Sequence, residues 1–138
     1  MIQRIQSFWL LLTAVCAFAT LKLPFYSGNK IADQAGSYQS VTGNTTILLN
    51  IITVAIGIIA LVFIFLYKNR KQQLWLTLLL LLVSLLQLFL LYLQTKQFVQ
   101  GAYEISVLVY IAMPAWLILA MRGMYKDEQL VKSVDRLR

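Results

Sequence analysis

Enzyme chemistry needs side chains that exchange protons, attack an electrophile or hold a metal, and this sequence is nearly bare of them. Histidine is absent, which removes the commonest general base and the commonest metal ligand together. The single cysteine, Cys16, lies inside an apolar run with no base near it, and alone it forms no disulfide within one chain. Five carboxylates remain, Asp33, Glu104, Asp127, Glu128 and Asp135, and none sits in the core of an apolar run. Asp33 and Glu104 can meet at one face, yet two carboxylates at a surface are thin grounds for hydrolysis. Ser84 has no Lys or His at a helical neighbour position, so a serine-type dyad is not supported. The expectation is a protein that is not an enzyme, with no catalytic residue, no cofactor and no metal.

The polar residues inside the apolar runs suit a different use. Asn50, Thr53, Gly57 and Ala60 fall at helical spacings of three, four and three, a narrow strip of small and polar side chains down one face. Such strips let two helices approach closely and hydrogen-bond, at roughly 0.6 to 2 kcal/mol per bond. Thr77, Ser84 and Gln87 likewise share a side, which Gln94 continues. Gln87 needs a partner, because an unsatisfied amide in hydrocarbon costs several kcal/mol. Asn50, Thr53, Gly57, Ser84 and Gln87 are therefore the candidate helix-packing and polar contacts, with an indirect Asn50–Gln87 link as one way to satisfy the amide.

These strips must be positioned by long apolar elements. Of the 138 residues, 60% are apolar, against about 45–50% in a soluble domain, and the mean hydropathy is +0.76. The surplus is gathered in four uninterrupted runs, the pattern of a chain whose solvent is lipid. The expected fold is an all-α membrane protein: one domain, a four-helix transmembrane bundle with spans at about 5–23, 47–67, 74–93 and 104–121. Outer loops take 24–46 and 94–103, an elbow takes 68–73, and a tail takes 122–138. The first run has the outline of a secretory signal, with Arg4, an apolar core and Ala17-Phe18-Ala19. It continues through Leu21 and Leu23, long enough to span, and is read as an uncleaved first span.

Between spans one and two, Pro24 stops a helix, and Lys30-Ile31-Ala32 can pair with Tyr38–Thr42 as a small β-hairpin. The sequon Asn44-Thr45-Thr46 abuts a span and carries no weight. Glu104 opens the fourth span and has Lys96 or Lys22 as ion-pair partners, while Pro114 predicts a kink within that span. In the tail, Gly123 marks an interruption. Beyond it Leu130, Val131, Val134 and Leu137 recur at helical spacing, with Asp127 and Glu128 in the first turn, as in a short amphipathic helix.

The formal net charge is +7, and the placement of the charges gives it a meaning other than nucleic-acid binding. With the elbow in the cytoplasm, nine cations lie inside: Arg4, Lys68, Arg70, Lys71, Arg122, Lys126, Lys132, Arg136 and Arg138. Only three, Lys22, Lys30 and Lys96, lie outside. The positive-inside rule then puts both termini in the cytoplasm. Lys68, Arg70, Lys71 and Arg136 can meet anionic headgroups there, and Leu130, Val131, Val134 and Leu137 can dock on lipid or on a protein partner.

Three stretches carry a resemblance: Met1–Gln6, the elbow Tyr67–Lys71, and the tail from Lys126-Asp127-Glu128 through Leu130-Val131 to Asp135-Arg136-Leu137-Arg138. Together they are similar to an uncharacterised family of small four-span membrane proteins from Bacteroidetes that carries only a domain-of-unknown-function label. The similarity covers the whole chain, and the tail is its most specific part. It implies a bacterial inner-membrane protein and brings no substrate, cofactor or site residue.

The functional expectation is a non-enzymatic multi-pass inner-membrane protein, an accessory, scaffold or assembly component of a membrane complex. Its partners would be the bilayer and other membrane subunits or further copies of itself, with no nucleic acid. The alternative is an oligomeric small-solute or lipid transporter or channel lined by Gln87, Ser84 or Asn50. Against it stands the lack of any intramembrane charge, the usual mark of an ion or proton path.

Overall fold

The computed structural model describes residues 2–30, 38–66 and 70–136, with their side chains except those at 2–4, 30, 70 and 134–136. The element order is α1 (Ile2–Thr20), β1 (Pro24–Lys30), β2 (Tyr38–Thr42), α2 (Ile47–Phe65), α3 (Arg70–Thr95), β3 (Phe98–Tyr103) and α4 (Val107–Arg136). Four helices dominate, as expected. Three of them, α2, α3 and α4, are long and apolar enough to cross a membrane, and the apolar stretch of α1, Ile5–Thr20, is shorter.

The helices form a ring. α1 packs on α4 and α2, and α3 packs on the same two, so α1 lies diagonal to α3. Neighbours run antiparallel: Thr20 meets Tyr110 at one end of the α1–α4 pair, and Gln6 meets Asp127 at the other. The core down the middle is built from small and medium side chains, among them Ala14, Ala17, Ile56, Ala60, Leu80 and Met113. Small residues let the backbones approach closely, which strengthens dispersion contacts. Gly57 shows the tightness, since a Cβ there would lie 2.8 Å from the Phe18 ring on α1.

The expected all-α fold needs correction at one end, where a three-stranded sheet caps the bundle. Its order is β2-β1-β3, all antiparallel, with β1 in the centre. The hairpin of the sequence reading exists in outline, but its first strand already begins at Pro24 and is described to Lys30, while Ile31 and Ala32 lie outside the described residues. Pro24 opens a central strand, at the first residue, where a missing N–H is tolerated. Strand β3 lies where a loop was expected. Its pairing sets Gly28 opposite Gly101. A Cβ at Gly101 would sit 2.5 Å from the Ser27 carbonyl oxygen, and one at Gly28 would meet the Gln100 carbonyl. Two glycines are thus what allow this close approach. Phe25, Val41 and Phe98 from the sheet join Leu49, Leu91 and Tyr110 from the helices in a second core that fastens the cap to the bundle.

Element boundaries shift as well. α1 ends at Thr20, earlier than the span expected, because a turn and then β1 take over, and α2 ends at Phe65. α3 begins at Arg70, so most of the elbow is helix, while Tyr67, Lys68 and Asn69 lie outside the described residues. The separate tail helix is corrected too: α4 runs unbroken through Pro114 and Gly123 to Arg136.

Candidate functional site

The chemistry-bearing side chains gather in two places, a buried polar cluster at the sheet end of the bundle and a charged, partly open region at the basic end. Both grow from one constraint: helix ends leave backbone carbonyls without partners, and these must be satisfied where water is excluded.

At the sheet end, Tyr110 does this for α1. Its hydroxyl oxygen lies 2.9 Å from the Thr20 carbonyl oxygen and 2.6 Å from that of Leu23, and it accepts from the Gly43 N–H at 3.2 Å. A hydroxyl carries one proton, so it serves one carbonyl at a time. Thr20 also receives the Gly43 N–H at 2.9 Å. Gly43 must be glycine here, since a Cβ would stand 2.9 Å from the Thr20 oxygen and 3.1 Å from Thr53 Oγ1.

Thr53 and Gln87 continue the cluster into the bundle. Thr53 Oγ1 donates to the Leu49 carbonyl at 2.7 Å, and Gln87 Nε2 donates to Thr53 Oγ1 at 2.8 Å. Because the threonine proton is used on Leu49, Thr53 can only accept from the amide, which fixes the orientation of Gln87. Gln87 Oε1 is then left buried with no hydrogen-bond partner, an arrangement that costs about 1–3 kcal/mol. The sequence reading allowed an indirect link from Gln87 to Asn50. Gln87 bonds Thr53 directly, and Asn50 Nδ2 donates to Asn44 Oδ1 at 2.7 Å, nearer the surface. Ser84 is fully buried and returns its proton to the Leu81 carbonyl at 2.7 Å. Gly57 faces Phe18, so the strip on α2 divides between two neighbours, Thr53 toward α3 and Gly57 toward α1. Glu104 binds neither Lys96 nor Lys22 but accepts from Ser27 Oγ at 2.6 Å, and Lys96 lies over the Tyr92 ring.

The basic end repeats the logic. Gln73 Nε2 caps α2 by donating to the Phe63 carbonyl at 2.9 Å, and Thr77 donates back to the Gln73 carbonyl at 2.7 Å. Gln6 Nε2 donates to Asp127 Oδ2 at 2.6 Å, with both side chains buried. Gly123 makes room for this, since a Cβ there would come within 2.9 Å of Gln6 Cγ. Asp127 is therefore not a first-turn residue of a new helix, and Gly123 is a contact point rather than a break. Further along, where α4 is no longer apolar, Lys132 Nζ lies 2.8 Å from Glu128 Oε1. The hydrogen bond and charge of Lys132, with a smaller pull from Lys71, hold the Glu128 carboxyl below its usual range.

Of the docking candidates, Lys71, Leu130 and Val131 are exposed. Arg70, Val134 and Arg136 are helical, but their side chains lie outside the described ones, as do Lys68 and Leu137 altogether. Sequence reading missed Tyr110, Gln73, Gln6 and Asp127. The first three did carry a signal, being hydrogen-bonding side chains in or beside apolar runs. Among the described residues no three His, Cys, Asp or Glu stand together as a metal site.

What this arrangement does chemically is hold helices together. Apart from Gln87 Oε1, its polar atoms satisfy carbonyls and one another, and among the described residues no nucleophile faces a base. The chain belongs to the family described as a domain of unknown function, DUF4293, whose model matches residues 2–137. No curated protein matches the chain, and no solved structure does.

Proposed function

We propose that this member of the DUF4293 family is a multi-pass protein of a bacterial inner membrane with both termini cytoplasmic. In this reading it is a non-enzymatic accessory, scaffold or assembly component of a membrane complex. Support for the membrane setting comes from the inverted distribution of side chains. Thr13, Thr53, Thr77, Ser84 and Gln87 are fully buried, while Leu82, Phe89, Ile58 and Phe8 stand more than half exposed. A water-soluble surface rarely shows so large an apolar area. In this reading α1 crosses with the others, since it packs lengthwise on α4 and α2; its apolar stretch Ile5–Thr20 reaches about 24 Å at a 1.5 Å rise per residue, a few ångströms under the hydrocarbon core, a mismatch that local bilayer thinning absorbs. The cation bias supplies the orientation.

The observation that carries the scaffold role is the continuity of α4. The helix runs past its apolar part as a rigid arm, fixed to α1 by the Gln6–Asp127 bond and presenting Leu130 and Val131 to the outside. Rigid presentation reduces the entropy lost when a partner docks. The oligomeric transporter has less support, since Gln87 and Ser84 face the protomer's own interior. The test is purification in mild detergent of the intact chain beside L130S/V131S. The double variant keeps Asp127 and hence the arm. Co-purifying membrane or cytoplasmic chains lost in the variant fit the proposal, and an unchanged set overturns it.

A further inference from the structure

Resting on the membrane reading above, we propose that the groove between the basic ends of α3 and α4 seats one anionic phospholipid. The groove has a volume of about 500 Å³ and is lined by Leu74, Ile118, Met121, Arg122, Tyr125 and Lys126. Five of the six come from one face of α4, at positions three, four, seven and eight along from Ile118. Over those eight residues, about 12 Å of helix, the lining changes from apolar at Ile118 and Met121 to polar at Arg122, Tyr125 and Lys126. A phospholipid changes polarity in the same direction, from acyl chain to phosphate.

Charge complementarity selects the occupant. Arg122 and Lys126 are exposed at the groove, and among the described residues neither is paired with a carboxylate, since Asp127 turns inward to Gln6 and Glu128 takes Lys132. Two unpaired cations beside an apolar wall fit a phosphate that arrives with a hydrocarbon chain. Basic pockets between helices at the cytoplasmic face are the places where anionic headgroups bind specifically. Arg122 offers a planar fork of donors to phosphate oxygens and Lys126 a second, mobile ammonium. Leu74, Ile118 and Met121 continue the apolar exterior of the bundle, so the acyl chain leaves the groove directly into the bilayer. The phosphate donor is the lipid headgroup and not free phosphate, because the apolar part of the groove has no role for a free ion.

The full chain is purified in neutral detergent, mixed with equal amounts of phosphatidylglycerol and phosphatidylcholine, and examined for retained lipid by native mass spectrometry. One phosphatidylglycerol per chain is expected, persisting in excess inorganic phosphate. At about 1 kcal/mol per cation near a headgroup, R122Q/K126Q should lower the phosphatidylglycerol preference by on the order of tenfold or more. K132Q, whose lysine is already paired, should keep it. Both cations are exposed, so the double variant should retain the helical circular dichroism of the parent. Equal retention of the two lipids, displacement by phosphate, or an undiminished preference in R122Q/K126Q would each overturn the proposal. Flotation of the parent with vesicles separates the levels. A chain that floats without preferring phosphatidylglycerol loses only the lipid site, whereas one that does not float loses the membrane reading as well.

Discussion

Gln6 Nε2 and Asp127 Oδ2 lie 2.6 Å apart across a sequence separation of 121 residues, buried between α1 and the distal part of α4. The bond turns what composition describes as a loose charged tail into a stiff continuation of the bundle. Its energy follows from its type: a hydrogen bond to a charged group contributes about 1.5–3 kcal/mol, more than a neutral pair. Asp127→Ala should therefore lower the unfolding free energy in detergent by about that amount. Gln6→Leu in the same background should then cost less than it does alone, because the partner is already gone. Additive costs in the double-mutant cycle would show that the two side chains do not interact.

Thr53 and Gln87 allow a sharper contrast. Thr53→Val leaves the whole Gln87 amide buried without its bond, and the expected loss is about 1–3 kcal/mol. Gln87→Leu removes the donor together with the orphaned Oε1, and leaves Thr53 still bonded to Leu49. It should be nearly neutral, within about 1 kcal/mol. Thermal unfolding of the two variants in one detergent gives the comparison. A Gln87→Leu protein less stable than Thr53→Val contradicts the bonding described.

Tyr110→Phe keeps the ring against Phe25 but withdraws the hydroxyl that Thr20 and Leu23 share. Of the two carbonyls, Thr20 retains the Gly43 N–H, so the effect should concentrate at Leu23 and at the junction of α1 with β1. The expected cost is about 1–2 kcal/mol, with faster amide exchange at this junction than in the middle of α1. Uniform exchange along the chain would argue against a capping role.

Orientation can be read with thiols after Cys16→Ala removes the natural one. Asn29 lies exposed in β1 at the sheet end, and Ser133 lies exposed on the distal arm of α4. In spheroplasts, a membrane-impermeant maleimide should modify N29C directly and S133C only after permeabilisation. The reverse pattern would invert the topology proposed from the cation bias.

The sequence by itself determined the parts that depend on local composition. Uninterrupted apolar runs make four helices wherever they fold, and small or polar residues at helical spacing put Thr53, Gly57, Thr77, Ser84 and Gln87 on inward faces. Tertiary structure alone decided the rest, because each such feature joins segments far apart in the chain. β3 is a strand only because β1 offers it an edge and Gly28 and Gly101 let the backbones approach. Its own residues alternate too weakly to announce it. Gln87 bonds Thr53 directly because helix packing, not polarity, set which side chain came within reach. Gly123 reads locally as a helix breaker, yet the bond between Gln6 and Asp127 needs the space it leaves, and α4 passes through it intact. Propensity was overridden there by a contact that forms only when α1 and α4 lie side by side.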